Sequence, residues 1–181
     1  MSLSPVKYKI LECMSLNDKP EKIADIAKEC GNDFKPVNMH LIGLAKNGYV
    51  TSLSKGMYAI TQKGKEAVGI KETGREDAKA ILAATSSENA FHFYLAIDRA
   101  LDISANGLKD FADKARNLEP ASLEFHLQRG DFEKWFASLG DAELAKKMAL
   151  LKASGVMGEP LRAKLSEIVG NRYNALSQLS Q

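Results

Sequence analysis

The sequence predicts a mainly α-helical protein with a small β component, and three observations support this fold class. Apolar residues recur at spacings of three and four through most of the 181 residues, which is the period of an amphipathic helix. Residues 48–60 instead form two short apolar runs around a glycine-containing tip. In residues 91–97, phenylalanine and aliphatic residues alternate with other types, as they do in a half-buried strand.

Composition and charge divide the chain at about residue 70. The chain is 45% hydrophobic and 27% charged, which is typical of globular proteins, and its net charge of +2 does not by itself mark a nucleic-acid-binding protein. Residues 1–70 contain ten Lys against seven Asp and Glu, whereas residues 71–181 contain fifteen Lys and Arg against sixteen acidic residues. We expect a first domain over residues 1–70, a linker helix over residues 71–88 and a mostly helical domain over residues 89–181.

Three helices are expected in the first domain, and residues with known positional preferences mark their ends. Pro5 suits the first position of the first helix. Asn17 or Asp18 can cap the second helix, and Gly31 can end it. The third helix is expected over residues 35–46, where apolar residues occupy one face.

A hairpin is expected after the third helix, with its tip at Ser54, Lys55 and Gly56. Two short helices joined by a tight turn and followed by a strand pair form a helix-turn-helix with an appended wing. A lysine beside a glycine at the tip can approach a phosphate backbone closely. The pattern therefore indicates contact with duplex DNA.

The same stretch resembles a known family. "LIGLAKNGYV" followed by "SKGMYAITQKGKEAV" looks like the winged helix-turn-helix of archaeal and bacterial transcription regulators, in which "L…GY/LV…YxLTxxG" closes the third helix, forms the wing and opens the fourth helix. The resemblance covers about residues 4–70. It implies that residues 35–46 are the recognition helix and residues 52–57 the wing tip. The candidate DNA-binding residues are Lys35, Asn38, Met39, Ile42, Lys46, Ser54, Lys55 and Gly56.

Each candidate on the recognition helix has an expected role. Asn38 can pair with an adenine edge, and Lys35 and Lys46 can reach phosphates. Met39 and Ile42 can contact a thymine methyl group. The reading face lacks Arg and Gln, so weak operator specificity is expected. The alternative is a protein-protein adaptor in which Met39 and Ile42 belong to an apolar docking surface.

The second domain is expected to begin with a strand. The alternation over residues 91–97 favours a strand that turns at "IDRA" and returns through residues 101–103, although a helix also fits the spacing of its aromatic residues. Ser104 or Asn106 can then cap the helix "LKDFADKAR".

Short helices follow in "SLEFHLQRGDFEKWFASLGDAELAKKM". Gly130 and Gly140 can each end a helix, and Asp131 and Asp141 can each cap the next one. The last helix, "EPLRAKLSEIVGNRYNALSQL", carries an apolar stripe that either closes the core or pairs with a second copy. With "FHFY" before it, this region is similar to a family of small helical domains of unknown function in archaeal and bacterial proteins, through "SLEFH", "RGDFEKW" and "LGDAELA". The resemblance implies no chemistry.

A ligand site in the second domain is a further hypothesis. A pair of histidines with a carboxylate can bind zinc or a small anion. The candidate ligand residues are His92, Glu124, His126 and Arg129, with Asp131 nearby. His126 shares a helical face with leucines, so a hydrogen-bonded, partly buried histidine is the commoner explanation.

Other function classes receive little support from the sequence. Cys13 and Cys30 form no CxxC pattern and fit helix cores, although a metal sensor that includes His40 is an alternative. Enzymatic motifs for phosphate loops, nucleophile elbows and zinc hydrolases are missing from the sequence, so we expect no catalysis, no cofactor and no defined metal site. No apolar run approaches the roughly 20 residues of a membrane span.

The sequence thus predicts a cytoplasmic transcription regulator. Its partners would be double-stranded DNA, a second copy of the chain, because two half-sites need two readers, and an unidentified small-molecule effector. The second domain would serve sensing or assembly. A protein-protein adaptor is the alternative, and a metal or small-ligand sensor centred on His92 and His126 is a third hypothesis.

Overall fold

The computed structural model describes residues 3–181 and divides into two compact units. The first unit ends at Glu72, and the second runs from Thr73 to Gln181. Helices predominate, and the strands form two small antiparallel sheets. The expected mainly α fold class with a small β component is therefore confirmed.

In the first unit, the described residues form four helices and one three-stranded sheet. The elements in chain order are α1 (Pro5–Asn17), β1 (Glu21–Lys22), α2 (Ile23–Cys30), α3 (Phe34–Lys46), β2 (Val50–Ser54), β3 (Met57–Ile60) and α4 (Gln62–Ala67). The strand order is β1-β3-β2, and both pairings are antiparallel. The expected hairpin thus has a third strand beside it.

The short strand β1 corrects the expected start of the second helix. Asn17 ends α1, and Asp18 follows it in the left-handed conformation with φ 49°, so neither residue caps α2. Glu21 and Lys22 pair instead with Tyr58 and Met57 of β3. Because these two residues form a strand of the sheet, α2 begins only at Ile23.

The turn between α2 and α3 depends on Gly31, as the sequence predicts. Gly31 has φ 64°, and its N–H donates to the carbonyl of Lys28. The N–H of Asn32 donates to the carbonyl of Ala27 at 3.0 Å, which completes a Schellman-type helix end. The third helix therefore starts at Phe34, close to the end of the second.

The core of the first unit is built from one face of each of its first three helices and from the sheet. Short isolated helices are marginal in water, and each buried aliphatic side chain contributes roughly 1.5–3 kcal/mol, so this packing stabilises the unit. The buried side chains include Ile10, Leu11, Met14, Ile26, Val37, Leu41, Leu44, Val50, Tyr58, Val68 and Ile70.

The second unit combines a β-hairpin with further helices. Its elements are α5 (Arg75–Leu82), β4 (Phe91–Ala96), β5 (Arg99–Ala105), α6 (Leu108–Ala115), α7 (Pro120–Arg129), α8 (Asp131–Ser138), α9 (Ala142–Ala153) and α10 (Gly158–Leu179), with a 3-10 turn at Ser87–Asn89. β4 pairs antiparallel with β5, which confirms the strand interpretation of residues 91–97. Within residues 71–88, expected to be a linker, α5 contacts α10 and α6.

Two of the expected helix caps in this unit are wrong and one is confirmed. The carboxylate of Asp141 accepts the N–H of Leu144 at 3.0 Å and caps α9 as expected. Gly130, not Asp131, is the N-cap of α8, and the Asp131 carboxylate turns toward two side chains of α7. α6 likewise starts at a glycine, Gly107, so neither Ser104 nor Asn106 caps it.

The longest helix, α10, closes the core of the second unit and contacts α5, α6, α7 and α9. Its apolar stripe is almost fully buried within this unit, so the sequence alternative in which the stripe closes the core is the one observed. The buried residues of the stripe are Leu161, Leu165, Ile168, Val169 and Leu176. Across residues 3–181, no helix has the length and apolar character needed to cross a membrane.

Candidate functional site

The candidate residues on α3 lie on its outward face. Met39 is 73% exposed and Ile42 43% exposed, and Lys35 and Lys46 are exposed as well. Asn38 is half-buried. The opposite face of the helix is buried in the core, because Val37, Leu41 and Leu44 are at most 1% exposed. The 3.6-residue period thus presents the predicted reading residues away from the core.

The hairpin presents Lys55 at an exposed turn between β2 and β3. Gly56 has φ 79°, a conformation that favours glycine, and Ser54 beside the turn is exposed. The carbonyl of Gly56 accepts the N–H of Ile23 at 3.2 Å. The tip is therefore held to the first residue of α2.

Thr61 and Gly64 explain the "ITQKG" that ends the hairpin. The hydroxyl of Thr61 donates to the carbonyl of Gly48 at 2.7 Å and accepts the N–H of Gly64 at 3.2 Å. A Cβ on Gly64 would lie 2.1 Å from the carbonyl oxygen of Tyr49, so no larger residue fits without backbone movement. These contacts hold the start of α4 against the chain that links α3 to β2.

The first unit contains a long segment without acidic residues. Residues 34–65 contain five lysines and no Asp or Glu, although residues 1–70 contain seven acidic residues. This segment includes α3, the whole hairpin and the start of α4. Counting charge over a shorter window of the sequence would have found it.

The lysines of this segment differ in their partners. Lys65 pairs with Asp18 at 2.5 Å, and Lys63 donates to the carbonyl of Asn47 at 2.8 Å. Lys35, Lys46 and Lys55 make no ion pair with any residue that the structure describes. These three ammonium groups are available to an anionic partner.

Lys7 is a basic residue that the sequence analysis missed. Its ammonium nitrogen lies 3.4 Å from the position that a Cβ on Gly43 would occupy, so α1 places a further positive charge beside α3. Because α1 and α3 are far apart in sequence, only their packing reveals this proximity.

A pocket of about 260 Å³ lies in the second unit between the β-hairpin and α7. Three of the four candidate ligand residues, His92, His126 and Arg129, line it. Glu124 does not, because its carboxylate accepts the N–H of Gly158 at 2.6 Å at the start of α10. The remaining lining residues are Phe91, Tyr94, Ile97, Phe125 and Asp131.

Both ring nitrogens of His126 are occupied. Nε2 accepts the backbone N–H of Tyr94 at 2.8 Å, so the ring proton is on Nδ1 and is donated to Asp131 at 2.9 Å. Burial lowers the pKa of His126 below its ordinary 6.5, and the hydrogen bond and charge of Asp131 oppose this only in part. The ring is therefore neutral and has no lone pair left for a metal ion.

Arg129 and Asp131 form the polar rim of the pocket. Arg129 Nε donates to Asp131 Oδ2 at 3.1 Å, and its guanidinium carbon lies 5.1 Å from the centre of the Phe125 ring. Although burial raises the pKa of Asp131, the hydrogen bonds from His126 and Arg129 outweigh it and bring the pKa below the ordinary 3.8. Asp131 is therefore ionised at neutral pH.

The two cysteines contact each other in the first unit. The thiol of Cys30 donates a hydrogen bond to Cys13, which lowers the pKa of Cys13 and raises the pKa of Cys30. The structure records no disulfide between them. Among residues 3–181, no group of three His, Cys, Asp or Glu side chains is arranged to hold a metal ion.

Comparison with known proteins does not assign a family. No protein-family model matches the chain, and neither a curated protein nor a solved structure matches it. The function must therefore be inferred from the chain's own residues.

Proposed function

We propose that this chain is a cytoplasmic transcription regulator whose first unit is a winged helix-turn-helix that binds duplex DNA. The observation that supports this most strongly is the segment of residues 34–65, which has five lysines and no acidic residue. The segment coincides with the outward face of α3 and the exposed hairpin. The ammonium groups of exposed lysines attract the phosphate backbone of DNA.

The order of elements also supports the proposal. α2 and α3 are joined by a short turn, and a hairpin follows α3 directly, which is the connectivity of a helix-turn-helix with a wing. α3 has 13 residues, so it is about 20 Å long and can lie in a major groove about 12 Å wide. Lys55 at the hairpin tip would contact phosphates beside that groove.

The proposed readout of bases is sparse. Asn38 is the amide that can pair with an adenine edge, and Met39 and Ile42 can contact thymine methyl groups. Lys35 and Lys46 would contact phosphates, which position the helix without reading sequence. We therefore propose binding that depends mainly on phosphate contacts, with a modest preference for the operator.

We further propose that the regulator binds as a homodimer, with the second unit serving sensing or assembly. Three exposed lysines, Lys35, Lys46 and Lys55, are the phosphate contacts proposed for each copy, so two copies on adjacent half-sites would double the phosphate contacts. The apolar stripe of α10 is buried within its own unit, so the dimer contact would use another surface. Stoichiometry at saturating DNA, two chains per duplex, checks this part.

The test is to replace Lys35, Lys46 and Lys55 with alanine, singly and together, and to measure affinity for duplex DNA over a range of salt concentrations. Each lysine that contacts a phosphate contributes about −0.9 to the slope of log K against log salt. We expect each single variant to reduce the slope by about 1, and Lys55→Glu to abolish binding at moderate salt.

The matched control is Lys9→Ala. Lys9 is exposed on α1 in the same unit, near Cys13 and Cys30, and it belongs to neither α3 nor the hairpin. This variant should keep the parent slope. If Lys55→Glu bound duplex DNA as well as the parent at moderate salt, the proposed role of the hairpin would be wrong.

A protein-protein adaptor is the second candidate function, because large apolar side chains are exposed on the same elements. Met39, Ile42 and Leu53 are 73%, 43% and 58% exposed. A partner protein could cover such a surface. Binding through it would depend little on salt, whereas binding of DNA would weaken steeply as salt increases.

A further inference from the structure

We propose that the pocket between the β-hairpin and α7 binds a small aromatic carboxylate, with its ring against the aromatic wall and its carboxylate on Arg129. Such a ligand would give the effector of the regulator a chemical class. Its role as an effector rests on the proposed function, whereas the binding itself does not depend on whether the first unit binds DNA.

The size of the pocket and its wall indicate a flat, mostly apolar molecule. The volume is about 260 Å³, slightly below the roughly 300–1,000 Å³ of pockets for drug-sized ligands, so a molecule with one or two rings would fit. Phe91, Tyr94 and Phe125 line it, and Ile97 at the rim is 72% exposed. A bound ring would cover apolar surface that now faces solvent.

The orientation of Arg129 indicates a carboxylate. Its Nε donates to Asp131, and its guanidinium lies over the ring of Phe125, so two neighbours hold the group although it is half-exposed. The two terminal nitrogens have no hydrogen-bond partner among the residues described. A held guanidinium with two such donors suits the two oxygens of a carboxylate.

The surrounding charges favour a monoanion over a phosphate. Asp131 carries a negative charge 3.1 Å from Arg129 Nε, so it partly offsets the positive charge of the rim. A dianionic phosphate would therefore meet more repulsion than a carboxylate would. A cationic ligand is disfavoured because the terminal nitrogens of Arg129 at the rim are positively charged and can only donate hydrogen bonds.

The test is calorimetric titration of the full chain with benzoate and with 2-naphthoate, which are one-ring and two-ring probes of this class. We expect saturable binding of one ligand per chain by at least one probe. The carboxamide of the probe that binds, which has the same shape without the charge, should bind at least about tenfold more weakly because it loses the charge-assisted hydrogen bonds. The corresponding aryl phosphate should also bind more weakly.

The test variants change only the side chain of Arg129. Arg129→Gln should weaken binding of the carboxylate at least about tenfold, and Arg129→Lys should weaken it less, since it keeps the charge but loses the fork. Arg116→Gln, an exposed arginine at the end of α6 in the same unit, is the matched control and should bind as the parent does. Circular dichroism checks that each variant is folded.

Two outcomes would overturn the proposal. One is the lack of saturable binding by both probes at millimolar concentration, and the other is unchanged affinity in a folded Arg129→Gln variant. Neither outcome affects the titration of DNA with the full chain, and loss of DNA binding in the lysine variants leaves the titration with aromatic carboxylates unchanged. The two proposals can therefore fail separately.

Discussion

His126 joins three elements through one imidazole ring. It lies on α7, accepts a hydrogen bond from Tyr94 of β4 and donates one to Asp131 of α8. The ring is only 3% exposed and lies among aromatic neighbours, with Phe91 at 4.8 Å between ring centres. Protonation of Nε2 would break the bond to β4, so the folded protein binds this proton less readily than the unfolded chain.

His126 should make the free energy of unfolding depend on pH. The pKa of His126 is lower in the folded state than the ordinary 6.5, so the unfolded chain takes up a proton first as the pH falls. The contribution of His126 to the free energy of unfolding should be constant above about pH 7 and should decrease as the pH drops below 6.5, by at most about 1.4 kcal/mol per pH unit for one proton. Urea unfolding at pH 7.5 and at pH 5.5 measures the change.

The variant His126→Gln should remove this decrease, because an amide can still accept the Tyr94 N–H but does not titrate. The same substitution at the exposed His92 is the control and should leave the decrease in place. Asp131 does not contribute in this range, since its lowered pKa places its loss of stability below pH 3.8. A decrease that persists in His126→Gln would show that another group causes it.

At the residue scale, the sequence predicts burial correctly where the helical face of a residue determines it. It fails where several groups could bind the same carboxylate. His126 lies buried with Leu123 and Leu127 as expected. Glu124 was grouped with it, but residues two apart on a helix point nearly opposite ways, and Glu124 instead binds the start of α10. Asp131 was expected to cap α8, but two side chains of α7 bind its carboxylate.

At the scale of elements, a buried charged cluster joins α10 to the start of α9. Arg172 of α10 donates two hydrogen bonds to Asp141, at 2.9 and 3.0 Å, and one to Glu143 at 2.8 Å. It also donates to the hydroxyl of Thr73. Arg172 is 6% exposed and Asp141 is fully buried, so the arginine compensates carboxylates that water does not reach.

The prediction for this cluster is a large loss of stability in Arg172→Met. Removing the arginine leaves the buried carboxylates with less compensation, which costs about 3–5 kcal/mol for a buried ion pair. The matched control is Arg162→Met on the same helix, where the pair with Glu159 is partly exposed and contributes about 1 kcal/mol or less. Chemical unfolding of both variants gives the comparison, and equal losses would contradict it.

The elements that the sequence predicts correctly are those whose apolar residues recur with a helical or strand period. The alternation in residues 91–97 predicted β4 although a helix also fitted, because aromatic residues at alternate positions suit a pleated, half-buried surface. β1 was missed because two residues, Glu21 and Lys22, show no period, and only their partners in β3 define them as a strand. α3 was predicted to within one residue, and its outward face follows from the helical period.

The pocket is only partly predictable from the sequence. Sequence reasoning named His92, His126 and Arg129, which all line it, but it missed Phe125 and Ile97. These two residues lie on α7 and at the turn of the hairpin, and only the packing of β4 against α7 brings them together. The aromatic character of the wall was therefore not predictable from spacing.

At the scale of the whole molecule, charge separates the two units. Residues 1–70 contain ten lysines and seven acidic residues, whereas residues 71–181 are close to neutral. The acid-free segment, with its five lysines, lies in the first unit, and the aromatic pocket lies in the second. This division of properties supports the proposal of a regulator with separate DNA-binding and ligand-binding parts.

The measurement that tests the central proposal most directly is fluorescence anisotropy of labelled duplex DNA titrated with the full chain at two salt concentrations. One duplex has a random sequence, and the other is the region upstream of the chain's own coding sequence. Three phosphate contacts per chain predict a slope of about −2.7 in log K against log salt, and about twice that for a dimer. We expect this steep loss on both duplexes and tighter binding to the upstream one. The lack of binding to either duplex at low salt, or binding that does not change with salt, would contradict the proposal and favour a protein partner.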